Sequence, residues 1–289
     1  LYMRNASQGA DPLNQIAAIS AQNSHLVLDH LDIDDVDFPI FVRGGSVVLQ
    51  NSRLHADASS DYINVKRGSA RSENNVFVGN DAPDTDAIDY DGVVDGVIRN
   101  NTFYNFTGAN SDAIDIGEEA QNVLIADNRI FNMSDKGVSV GQRSTVRMEG
   151  NLIFECAMGV AVKDSSYAFI HKNTFYGNAL AVACFEKNIG EWGGRAEVVH
   201  SILASSSLHS TLVDEYSELQ VRYSLSNTDT LVGAGNLFLD DGFKDARTYN
   251  VELRDDSPAA DAGDPSYERD RDGSPIDLGA SVSFAADLW

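Results

Sequence analysis

Between residues 51 and 175 the hydrophobic and polar positions follow one short pattern again and again. An asparagine precedes an apolar, often aromatic, pair in Asn75-Val-Phe77, Asn101-Thr-Phe103, Asn128-Arg-Ile130, Asn151-Leu-Ile153 and Asn173-Thr-Phe175. Asn51 fits one period earlier, and the successive intervals are 24, 26, 27, 23 and 22 residues. Around each asparagine, short stretches such as Val97-Ile-Arg-Asn100 and Val123-Leu-Ile-Ala126 alternate as half-buried strands do. No helical pattern of ten or more residues follows any of them. Strand after strand at this period, with only turns between, predicts a solenoid of the parallel β-helix type. One coil cannot bury its own inner face, so stacking of coils must supply the core.

The phase of the pattern selects the inward residues. They are Ile63, Ile88, Ile114, Val138, Val160 and Val182, with Val65, Tyr90, Ile116, Val140, Val162 and Cys184 two positions on. Asparagine at the turn tolerates left-handed geometry and can bond the coil above and below. His30 and His200 fall in the slot of the asparagine column and are expected to be turn residues. His25, His55, His171 and His209 share no phase and receive no role. The expected organisation is a cap or first coil over 1–21, a β-helix of about nine or ten coils over 22–240, and a closing segment over 241–289 that caps the open end. That last segment is rich in Asp, Pro and Gly, as the atypical end of a solenoid should be.

A second repeat runs through the middle coils: Asp61-Tyr-Ile-Asn64, Asp86-Ala-Ile-Asp89, Asp112-Ala-Ile-Asp115 and Asp135-Lys136-Gly-Val-Ser139. Stacking turns it into a column of carboxylates. Neighbouring coils lie about 4.8 Å apart, and two carboxylates about 5 Å apart repel by roughly 3 kcal/mol at an effective dielectric near 20. Full solvation, raised pKa values or a bound cation relieves that cost. Oxygen ligands on a rigid wall suit calcium. The expected site therefore comprises Asp61, Asp86, Asp89, Asp112 and Asp115, with Asn64 and Asp91 as further ligands. The bland alternative is an exposed acidic ladder that only keeps the solenoid soluble. The following coil, Met158-Gly-Val-Ala161, carries no polar residue at these positions, and that localisation favours a site.

Composition narrows the partners. Of 289 residues, 43% are hydrophobic, enough for a large core; the formal net charge is −23 and the pI about 4.4. Nucleic-acid binding needs basic patches, so it is excluded as an expectation. No run of eighteen apolar residues exists, hence no membrane span. Cys156 and Cys184 fall at different phases and are expected to be small buried residues rather than a disulfide.

Over residues 22–240 the pattern resembles the right-handed parallel β-helix superfamily that contains the pectate lyases. Asn236-Leu-Phe-Leu-Asp-Asp-Gly-Phe243, Ser257-Pro-Ala-Ala-Asp-Ala-Gly-Asp264 and Asp277-Leu-Gly-Ala280 are similar to the closing segment of bacterial surface and secreted members. The resemblance implies an extracellular or cell-surface location and a polysaccharide-active enzyme, first of all a calcium-dependent lyase on an acidic polysaccharide or oligosaccharide. In that family aspartates of adjacent coils hold calcium and a nearby lysine is the base. Lys136 matches the lysine and Arg143 can assist the leaving group, while Lys66 and Lys163 share another phase. The departures are single rather than paired aspartates, and Asp135 beside Lys136, which should raise the pKa of the base.

Two other functions compete. Stacked aspartates can serve a glycoside hydrolase, since one coil step fits the separation of a retaining pair. Asn110-Ser-Asp112-Ala-Ile-Asp115 distantly resembles a polygalacturonase motif, although the companion Gly-His-Gly and Arg-x-Lys motifs are absent. The Asp-Pro-His-Glu run of epimerases on this fold is absent too. A non-catalytic glycan-binding or adhesin module would instead use aromatics, with Tyr62, Tyr90, Phe185 and Trp192 as candidates. Trp192 lies in the insertion Asn188-Ile-Gly-Glu-Trp-Gly-Gly194, expected to project as a loop. The C-terminal acids Asp261, Asp264, Asp270, Asp272 and Asp277 could hold a second, structural calcium, but Asp270-Arg-Asp-Gly-Ser274 lacks the twelve-residue pattern with its closing Glu, so a Pro/Gly-rich turn is expected.

Overall fold

The computed structural model describes residues 17–56, 60–267, 269, 270 and 272–281, together with the backbone of 2–4. Three strands of 11 residues, Ile19–Asp29, Ile40–Gln50 and Ile63–Glu73, pair in parallel at the start of the solenoid. Beyond them each coil splits this long strand in two. One branch continues through Ile88–Val93, Ile114–Gly117, Lys136–Val140, Met158–Lys163, Leu180–Phe185 and His209–Val213. The other runs from Val97–Arg99 to Glu218–Arg222, so the 15-stranded sheet forks. A second sheet of 11 short parallel strands closes each coil. The result is an all-β, single-stranded right-handed parallel β-helix of about nine turns. Among the described residues the one antiparallel pair is Phe243–Asp245 with Asn250–Leu253, in the closing segment.

The expected inward residues stack in register, Ile63 on Ile88, Ile114, Val138, Val160 and Val182, and all are fully buried. Two expectations are corrected by this core. Tyr90 stacks between Val65 and Ile116 with its hydroxyl 3.0 Å from Ser72 Oγ, and Tyr62 donates its hydroxyl to the Val78 carbonyl at 2.8 Å and packs on Phe106. Both are 0% exposed, so neither can meet a ligand. Cys156 and Cys184 are buried and free.

The asparagine ladder is an internal hydrogen-bond spine. Each Oδ1 accepts the backbone N–H and the Nδ2 of the preceding rung, as Asn128 does for Asn101 at 2.9 and 3.0 Å. Each Nδ2 also donates to a carbonyl of the previous coil. The rungs extend to Ser52 at one end and through Ser201 and Ser224 to Asn236 at the other. Asn51, His30 and His200 are not rungs. They occupy the adjoining corner position with φ of 51°, 53° and 52°, in line with Asn74, Asn100 and Lys172. The turn reading of these residues stands, but the phase shifts by one.

The described residues of the closing segment lie along the outer face of the 11-stranded sheet. Phe243, Val251, Ala259 and Leu278 form a second apolar cluster with Phe131, Leu152, Phe154 and Ile202. Its acids build turns, Asp264 holding Ser266 and Asp272 holding Ser274.

Candidate functional site

The outward positions of five consecutive coils form three columns. The first reads Asp61, Asp86, Asp112, Lys136. The second reads Asn64, Asp89, Asp115, Ser139, Ala161. The third reads Lys66, Asp91, Gly117, Gly141, Lys163, with the last two continuing the register of Val140 and Val162. The aspartates thus come together as the repeat requires.

They separate into two groups. Asp86, Asp112 and Asp115 bring one oxygen each within 4.8 Å of the others. Backbone amides order this group: Asp112 N–H donates to Asp86 Oδ1 at 2.7 Å and Lys136 N–H donates to Asp112 Oδ1 at 2.8 Å. Burial, then the neighbouring Asp112, Asp115 and Asp61, push Asp86 well above the usual carboxylate range. Burial likewise lifts Asp112, against the pull of Lys136, to about 7. Asp61 and Asp89 form the other group, bridged by Asn64, whose Nδ2 donates to Asp61 Oδ2 at 2.7 Å and Asp89 Oδ2 at 2.5 Å. Burial raises Asp61, and burial with the charges of Asp61 and Asp115 raises Asp89 well above its ordinary value. A proton shared between Asp61 and Asp89 relieves their repulsion.

Oxygen ligands in excess of local cations fit a metal ion. Asn64 adds an independent sign: it is 7% exposed, spends its amide hydrogens on Asp61 and Asp89, and leaves Oδ1 buried with no partner. Buried acceptors are seldom left in that state. The buried Asp86, Asp112 and Asp115 cluster can coordinate a cation.

Lys136 does not suit a base. Its ammonium contacts Asp135 and lies 3.3 Å from Asp112 Oδ1. Burial disfavours the charge, but Asp112 and Asp135 outweigh it and hold the pKa above the usual lysine range. Lys163 has the opposite environment. It is 4% exposed, and its Nζ donates to Ser139 Oγ at 2.8 Å. Among the described residues no carboxylate lies within ion-pair reach of it. Burial pushes its pKa down, with Asp115 opposing.

Lys163 lines a cleft of about 290 Å³, together with Asp89, Asp91, Asp115 and Lys187. Gly117 and Gly141 leave the floor open; a Cβ on Gly117 would come 2.8 Å from Asp91 Oδ1, and one on Gly141 3.5 Å from Lys163 Cε. A neighbouring cavity of about 460 Å³ shares Glu118, Gln142, Asp164 and Asn188 with the cleft. The corners at the fork carry pairs of left-handed non-glycine residues: Glu118-Glu119, Gln142-Arg143 and Asp164-Ser165. Such strain costs about 1–3 kcal/mol per residue and collects at functional sites. Arg143 sits on this rim, ion-paired with Glu191 and 3.7 Å from Glu119, away from the aspartates. Trp192 is 67% exposed beside Tyr216, in a loop pinned by Glu186 Oε1, which accepts the N–H of Gly190 and of Trp192.

A model of the right-handed β-helix region matches residues 18–207. The chain belongs to this right-handed β-helix family. Of solved structures, the A-module of the mannuronan C-5 epimerase AlgE6 from Azotobacter vinelandii superposes with a TM-score of 0.50 at 12% identity, covering 81% of each chain. A XylC–xylose complex gives 0.42 at 11% identity, over 82% of this chain and 58% of that one. At 12% identity the likeness to the AlgE6 module is one of fold, a fold shared with polysaccharide-modifying enzymes. No curated protein matches the chain. Within this β-helix, Lys163 and the two floor glycines were legible only by aligning the coils at the third outward column.

Proposed function

We propose that the protein modifies an acidic polysaccharide outside the cell or at its surface, by removing the proton beside a uronate carboxyl and eliminating the adjacent glycosidic oxygen. One observation carries this reading: Lys163 is a buried amine with no carboxylate partner among the described residues, in a cleft that Asp89 also lines. Burial pushes Lys163 down and Asp89 up, the directions that a general base and a general acid need. The free amine of Lys163 accepts the proton from carbon. The bond electrons form the double bond as the glycosidic oxygen leaves, and the protonated Asp89 supplies that oxygen with a proton. Ser139 orients the amine. Asp86, Asp112 and Asp115 would hold a calcium ion, which supplies positive charge against the uronate carboxylate and the developing enolate.

The test is the ultraviolet absorbance of the unsaturated product on a panel of uronate polymers, with calcium and with chelator. Silence on every polymer in both conditions sinks the lyase. Exposed Trp192 favours a second reading, a non-catalytic glycan-binding module; retention of the protein on such a polymer without any absorbance change would establish that instead.

A further inference from the structure

The closing segment is fastened to the solenoid at His200. Gly279 N–H donates to the His200 carbonyl at 2.8 Å, and Asp264 N–H donates to His200 Nε2 at 3.0 Å. His200 Nδ1 lies 3.1 Å from His171 Nε2, and His171 Nδ1 lies 3.3 Å from Glu149 Oε1. The ring of Tyr267 packs on both, 4.7 Å from His200 and 5.9 Å from His171. Both imidazoles are buried, His171 7% and His200 0% exposed.

This geometry admits one arrangement of protons. An amide N–H only donates, so His200 Nε2 must carry a lone pair. Neutral His200 then has its hydrogen on Nδ1 and donates it to His171 Nε2. His171 in turn has its hydrogen on Nδ1, aimed at Glu149. Every ring nitrogen is used, and both rings are neutral. A second proton on either ring sets a donor against a donor, at Asp264 N–H or at His200 Nδ1–H.

We propose that the His171–His200 pair is a pH-sensitive clasp, which holds the closing segment on the flank of the β-helix and releases it on acidification. The charges that face the pair come from three elements. Glu149 and Arg147 lie on Thr145–Glu149, Arg222 ends Glu218–Arg222, and Asp264 belongs to the closing segment; Lys172 adjoins His171 and pairs with Asp270 at 3.7 Å. Glu149 and Asp264 favour an imidazolium, while Arg147, Lys172 and Arg222 oppose it. Burial, reinforced by His171, takes His200 down to about 4, and burial also lowers His171.

A histidine with a depressed pKa in the docked state binds its proton better once released. The clasp is therefore at full strength above the free value, about 6.5. It weakens as pH falls from there toward the docked value of His200, about 4. For His200 alone, linkage predicts about tenfold weaker docking at about pH 5.5 than at about pH 7. Glu149 and Asp264, both held below the ordinary carboxylate value, stay ionised over that interval.

Hydrogen exchange of the full chain, read by mass spectrometry and corrected for the intrinsic pH dependence, tests this. Amides of 258–267 and 274–281 should lose about tenfold or more in protection between those two pH values, while those of the middle coils hold. A change smaller than about twofold in the closing segment overturns the clasp. So does a double variant, His171→Gln with His200→Gln, that keeps the wild-type response; glutamine Oε1 can replace each acceptor but does not titrate. If that variant is unprotected at both pH values, nitrogen-15 spectra of the wild-type histidines decide. Loss of protection must track their protonation, and rings already charged at neutral pH refute the proposal.

Discussion

Replacing Asp86 by Asn should stabilise the protein when no divalent cation is present. Asp86, Asp112 and Asp115 have oxygens within 4.8 Å of one another. Two full charges at that distance repel by about 3.5 kcal/mol at an effective dielectric near 20. Lys136 offsets part of the charge on Asp112, so the expected net gain is about 1–3 kcal/mol. The substitution keeps the local hydrogen bond, because an asparagine Oδ1 can still accept Asp112 N–H. The sign with pH follows from the direction of the shifts. Carboxylates raised in the folded state hold protons that the unfolded chain has lost. The stability they contribute is full below the unfolded value, about 3.9, and is lost as pH rises through the folded one. For Asp112 that folded value is about 7. The wild type should thus be less stable at about pH 8 than at about pH 5, and the variant should flatten the difference. Thermal unfolding followed by circular dichroism in chelator should show Asp86→Asn melting about 5 °C higher at the alkaline pH. Calcium should reverse the order by stabilising the wild type more than the variant. An Asp86→Asn protein that melts lower than wild type in chelator at about pH 8 would refute the repulsion argument.

Three further outcomes test the cleft and the spine. Lys163→Ala should abolish turnover of a uronate polymer while the fold persists, and Lys163→Arg should not restore it, because a guanidinium stays protonated; an active, folded Lys163→Ala protein removes this residue as base. Gly141→Val fills the floor beside Lys163 Cε, so polymer turnover should fall about tenfold or more with little change in melting temperature; wild-type activity would place the reaction elsewhere. Asn128→Ala removes the acceptor of Asn101 N–H and Nδ2 and strands the Ile98 carbonyl, which should cost about 3 kcal/mol in denaturant unfolding. A loss below about 1 kcal/mol would show that the ladder is not a unit.

The coil and its inward face were legible because stacking forces equivalent residues into one column, and Ile63, Ile88, Ile114 and Val138 keep that phase in the sequence. The ladder was legible to within one position. Rung and corner are adjacent and both suit asparagine, so only the hydrogen bonds separate Asn75 from Asn74, or Ser201 from His200. Strands apolar at consecutive positions, Leu152-Ile-Phe154 and Ile202-Leu-Ala204, carried a sign that their outer face is covered, which the closing segment supplies. Tyr62 and Tyr90 looked like binding aromatics because ring size says nothing of direction; alternation already pointed Tyr90 inward.

By itself, the sequence determined a β-helix with an acidic column confined to its middle coils, since a repeat in a stacked fold is a statement about neighbours in space. The roles within that column belonged to the tertiary structure. Lys136 and Lys163 are the same residue type, 27 positions apart. One lies between Asp112 and Asp135 and is locked as an ammonium, while the other is buried against Ser139 with no carboxylate partner among the described residues. Protonation depends on burial and on charges a few ångströms away. Those are set by which coils touch and by the open floor at Gly117 and Gly141.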